Sequence, residues 1–155
     1  MSAPKSVVKI NKNGVTYTSK VDFACYNIFE LSRAAMRDVG KYLATRMRAA
    51  ARKLPGSQND RFVRYKTAGI IFKVPYDPNG LPHAEIGTKE DSWYTEEHER
   101  GSSKQPRRGI LHDTAYQNIA QIIEIESQYL SALEDDAKAL SLISEGEYSG
   151  EGDDQ

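Results

Sequence analysis

His83-Ala84-Glu85-Ile86-Gly87-Thr88, followed after a charged loop by Gly101-Ser102-Ser103-Lys104-Gln105-Pro106-Arg107-Arg108-Gly109-Ile110-Leu111 and then Asp113-Thr114-Ala115, decides the fold. The first six residues end a strand. The Gly- and Pro-bearing stretch is turn chemistry, and the run from Leu111 opens a helix. A sheet upstream is thereby joined to a helix downstream through a long excursion.

Working back from that joint, Phe62-Val63-Arg64-Tyr65-Lys66 and Ile70-Ile71-Phe72-Lys73-Val74 read as two strands around Thr67-Ala68-Gly69. With Ala84 to Gly87 they are expected to form an antiparallel sheet over 61–88. Pro75 to Pro82 holds three prolines and an Asn-Gly step, so it is an irregular connection. Further back, Ser19 with Asp22 three residues on resembles a capping box. The apolar positions Ile28, Leu31, Ala35, Tyr42, Leu43, Met47, Ala50 and Leu54 then give one long amphipathic helix over 19–54, which Pro55 and Gly56 stop. At the front, Val7 to Ile10 and Val15 to Tyr17 flank Asn13-Gly14, a β-hairpin arm within 1–18. A lone hairpin is marginal in water, so it needs either the main sheet of its own subunit or the edge of a neighbour.

Forward of the joint, Ala115, Ile119, Ile122, Ile123, Tyr129, Leu130, Leu133, Ala137 and Leu140 give a second long amphipathic helix over 111–143. Residues 144–155 carry Gly, Ser and acids with almost nothing apolar, and are expected to be a disordered acidic tail. The expected class is α+β: two long helices on a small antiparallel sheet, in a single domain over 1–143.

The pattern of Ala84, Gly87 and Thr88 at a strand end, a variable excursion, an approach through Pro106 and a helix opening on Ala115 resembles the phage tail-component family of siphoviruses. The resemblance spans about residues 24–140. It implies a structural virion protein at the head–tail junction, made in the host cytoplasm: a head-to-tail joining or tail-completion subunit that forms a homomeric ring through which DNA passes. It also implies head-closure and tail-tube or tail-terminator proteins as neighbours. No catalytic residue and no cofactor come with it.

Composition is compatible with that expectation and excludes some others. With 39% hydrophobic and 28% charged residues, a chain of 155 residues is expected to make one core. The lone Cys25 rules out an internal disulfide, suits a reducing cytoplasm, and reads as a small buried hydrophobe. No apolar run has the length of a membrane span. The net charge of -1 hides polarity: residues 1–73 hold 15 Lys plus Arg against 4 acids, and residues 124–155 hold 1 against 10.

Three groups of residues are candidates for contact. Arg33, Arg37, Lys41, Arg48 and Arg52 recur at helical spacing within about 100° of arc, either a solvated face or a sequence-blind surface for duplex DNA. Trp93 and Tyr94 are adjacent aromatics on a polar loop, over 89–110, which suits a subunit interface. Glu85, Asp91, Glu97 and His98 invite a metal-dependent hydrolase or nuclease, but His83, His98 and His112 lack the spacing of zinc ligands. A non-specific nucleic-acid-binding module is the alternative to the structural reading. It lacks interleaved aromatics and any known binding motif.

Overall fold

Asn13 and Gly14 take φ of 55° and 78°, the two left-handed conformations that a tight type I′ turn requires. They fold strand β1 (Val8–Lys12) back on β2 (Val15–Ser19). The computed structural model describes residues 8–53, 69–77, 80–88, 99–103, 106–135, 138–139 and 141–143. Among the described strands the hairpin joins no other: it is its own two-stranded sheet, and β3 (Ile70–Lys73) with β4 (Glu85–Thr88) is a second, antiparallel one. The expected strand at 62–66 lies outside the described residues.

Helix α1 (Val21–Arg52) is the axis of the molecule. It opens without the expected Ser19–Asp22 capping box. Ser19 is held in the β2 ladder opposite Val8, so Lys20 becomes the N-cap residue and makes no side-chain cap, while the Ser19 hydroxyl accepts from the Val21 N–H at 3.5 Å. Asp22 still favours that turn through the helix dipole. The first buried residue of α1 is Asn27. The two turns before it are largely exposed, which corrects the expectation that Cys25 is a buried hydrophobe. Ile28, placed in the apolar series, is also exposed.

Two clusters divide the core along α1. Leu31, Ala34 and Ala35 meet Tyr129, Ala132, Ala139 and Ile143 at one end. Val39, Leu43, Ala44, Met47 and Ala51 meet Ile70 and Ile110 at the other, with Phe72, Ile86 and Ile122 packed around them. The small sheet and the C-terminal helices therefore share one helix as their common support. The α+β class follows: helices with small antiparallel sheets.

The second helical region is not the single helix expected over 111–143. It is divided into α2 (Ile110–Gln117) and α3 (Ile119–Ser131), followed by a 3-10 turn at Ala132–Glu134. Asn118 makes the break, at φ -113° and ψ 16°. Its amide nitrogen donates to the Thr114 carbonyl at 2.7 Å, and its amide oxygen accepts from the Tyr42 hydroxyl at 2.7 Å. A side chain that bonds the backbone one turn back competes with the helix, and here a hydroxyl from α1 fixes it in place.

The turn chemistry before α2 is used as the sequence suggests. Gly109 sits at φ 52°, and a Cβ there would lie 2.6 Å from the Asp113 carboxylate. The Glu99 carboxylate accepts from the backbone N–H groups of Leu111 at 3.2 Å and His112 at 2.9 Å, so a distant acid satisfies the open helix end. Gly109→Ala is expected to cost about 1–2 kcal/mol, the cost of a left-handed residue with a Cβ. A urea midpoint equal to that of the wild type would show that the turn relaxes freely.

Candidate assembly surfaces

The basic residues of α1 do not form one continuous solvated row. Arg48 is half-buried and donates from Nε and Nη2 to the Ile70 carbonyl, at 3.2 and 2.8 Å. It fastens β3 to the helix. Arg33 lies 3.6 Å from the buried Glu30 carboxylate and 4.8 Å over the Tyr76 ring, itself edge-on to Phe29. Arg37 is half-buried, while Lys41 and Arg52 are exposed. Charge-assisted contacts of this kind hold a guanidinium in place, so Arg33 and Arg48 are engaged by the chain itself. The exposed cations of the stripe are at Lys41 and Arg52, with Lys53 beside them.

Trp93 and Tyr94 lie outside the described residues, as do Asp91, Glu97 and His98. Glu85 is exposed and is paired with His83, whose ring is 3.5 Å away. A hydrogen bond to the Leu81 carbonyl, followed by Glu85, holds the His83 imidazole above its usual pKa. Among the described residues no group of three or more His, Cys, Asp or Glu is placed to hold a metal. No helix among them is long and apolar enough to cross a membrane. Of the family-like positions, Gly87 and Thr88 pair with Ile71 and Ile70 in β4. Ala84 is half-buried just before that strand, Pro106 is exposed, and Ala115 packs against the second core cluster.

The surface that periodicity misplaces is on α2 and α3. Ile119, Ile123, Leu130 and Leu133 are expected in the core, yet all four are exposed, Ile123 at 58% and Leu130 at 60%. Tyr116 continues the row one turn earlier, also exposed. Within α3, Ile119, Ile123, Glu126 and Leu130 are spaced alternately four and three residues apart, which lays them in one strip along that helix, with Tyr116 and Leu133 exposed just beyond its ends. The residues that do face α1 are Ile122, Ile125, Tyr129 and Ala132, and the Tyr129 hydroxyl donates to Asp38 across that contact. The signal for this is present in the sequence. Apolar residues from 119 to 133 cover about 200° of the helix, roughly twice the arc a one-sided helix needs.

The hairpin is the second unpartnered surface. Its register puts positions 10, 12, 15 and 19 on one face, opposite Lys9, Asn11, Thr16 and Thr18. On that first face Ile10 is 53% and Val15 69% exposed. Among the described residues nothing pairs with its edges or covers that face, and such a ribbon suits an assembling arm before it docks.

No protein-family model, curated protein or solved structure matches the chain. The functional reading therefore rests on these surfaces and on the sequence resemblance.

Proposed function

We propose that the chain is a structural subunit of a phage neck, a head-to-tail joining or tail-completion protein that assembles into a homomeric ring around the passing DNA. The observation that carries this reading is the exposed apolar row on α2 and α3. Contiguous exposed apolar surface marks an interface, and the bare face of the hairpin adds a second one on the same chain. Two different interfaces on one subunit give head-to-tail association, which closes into a ring when the rotation allows. The neck in particular is supported by the strand end at Ala84, Gly87 and Thr88, the approach through Pro106 and the helix bearing Ala115. Lys41, Arg52 and Lys53 would supply the sequence-blind attraction that a DNA passage needs. The chain acts by assembly, without a catalytic centre or cofactor.

The same three cations favour a second reading, a non-specific nucleic-acid-binding module. Mass separates the two. The purified chain is expected to give an oligomer of defined mass by light scattering, ring-shaped in negative stain, that restores joining when added to heads and tails lacking it. A monomer whose affinity for duplex DNA falls steeply with salt would favour the binding module instead.

A further inference from the structure

We infer that the contact between subunits is made by the hairpin arm of one copy lying on the α3 row of the next, with Lys12 of the arm against Glu126 of the row. This rests on the reading of the chain as a self-assembling subunit, and names the surfaces that do it.

The two surfaces match in three respects. The first is length. Five-residue strands at about 3.3 Å per residue span about 17 Å, and Ile119 to Leu130 covers about 16 Å of helix at 1.5 Å per residue. The second is charge. From Val8 to Lys20 the arm carries Lys9, Lys12 and Lys20 and no acid, whereas Ile119 to Asp135 carries four acids and neither Lys nor Arg. Two copies of the row would repel each other, and so would two arms. An arm on a row attracts.

The third is the placement of one polar residue within each apolar surface. Lys12 shares its face of the ribbon with Ile10 and Val15, paired directly with Val15. Glu126 interrupts the row between Ile123 and Leu130 and is half-buried there. Among the described residues no hydrogen bond or ion pair engages either side chain. A single charged position inside an apolar seam fixes register and partner orientation when its opposite meets it. Burying either charge alone would be costly, so the seam is closed by the pair.

The test is a charge swap in the full chain, read as mass by light scattering and sedimentation. Lys12→Glu and Glu126→Lys should each weaken assembly by about a hundredfold in dissociation constant, since like charges then meet at the centre of the contact. Circular dichroism and melting of both should stay near wild type, because both residues are exposed or half-exposed in the subunit. Mixing the two variants restores opposite charges at every contact and should return wild-type assembly, as should the double variant. A second pair, Ile10→Asp with Ile123→Asp, checks the apolar part: each alone should be monomeric, and their mixture should stop at a heterodimer with one intact contact. Assembly of either charge variant at wild-type strength, failure of the mixture to recover, or a monomeric wild type would overturn the inference. Loss of assembly in Ile123→Asp with none in Ile10→Asp would overturn it in favour of row-to-row pairing. A wild type that assembles through Lys12 and Glu126 yet does not join heads to tails would leave this contact standing and remove the neck reading.

Discussion

Leu43→Ala is expected to lower the stability of the chain by about 3 kcal/mol, within the usual range for truncating a buried leucine. Leu43 is 5% exposed at the centre of the larger core cluster. The helix that carries it supports the small β3–β4 sheet and the C-terminal helices. Val39, Ala44 and Met47 lie beside it, and Ile70 and Ile110 bring β3 and α2 onto the same patch. Cutting its isobutyl side chain back to a methyl leaves a void walled by a long helix on one side and by two elements from elsewhere in the chain on the other, so the site cannot collapse cheaply. A domain of this size has about 5–15 kcal/mol in total, which makes the loss a large fraction. Urea unfolding monitored by circular dichroism checks it. A midpoint within error of wild type would mean that Leu43 does not hold the sheet and α2 to α1.

Gly40→Ala is expected to destabilise by about 1–3 kcal/mol, the range for forcing an extra group into a packed site, although alanine is the better helix former by about 1 kcal/mol. Clash and propensity oppose each other here, and geometry decides between them. A Cβ on Gly40 would stand 2.5 Å from Cδ2 of Phe72, 3.1 Å from Cγ and 3.2 Å from Cε2. These are ring atoms near the backbone, not the tip of a flexible chain, so the whole ring has to move. Its strand is held: Arg48 grips the Ile70 carbonyl, and Phe72 is paired with Ile86. The sign should therefore depend on Phe72. In a Phe72→Ala background the clash is gone and Gly40→Ala should stabilise by about 0.5–1 kcal/mol from helix propensity alone. Four urea midpoints close the cycle. Stabilisation by Gly40→Ala in both backgrounds would remove the close approach of β3 to α1 as a determinant of the fold.

Of the basic stripe, Lys41 and Arg52 are the exposed cations. Arg33 and Arg48 belong to the subunit interior, fastening the connection at Tyr76 and strand β3.

Much of this fold is legible in local sequence, and the reasons are local too. Asn13-Gly14 specifies its turn because few other residues enter left-handed backbone without strain. The long helix is visible from its apolar spacing, and its last residue, Arg52, falls two short of the stop expected before Pro55 and Gly56. Gly109 and Asp113 mark the start of α2 through turn and helix-end chemistry alone. What the sequence did not decide was which apolar residues would be covered. Ile119, Ile122, Ile123, Tyr129, Leu130 and Leu133 look alike as a periodic series, yet α1 offers a single surface, and only Ile122 and Tyr129 of these reach it. Cys25 and Ile28 are open for the same reason, since among the described residues the apolar core of α1 begins at Leu31. Asn118 can compete with its own helix by bonding the carbonyl one turn back, but that alone does not fix the break. Asn118 breaks the second helix because Tyr42, distant in sequence, places a hydroxyl on it. Periodicity shows that a residue can be buried; the element that arrives from elsewhere decides whether it is. Here no element among the described residues covers the apolar residues on the arm and on the row.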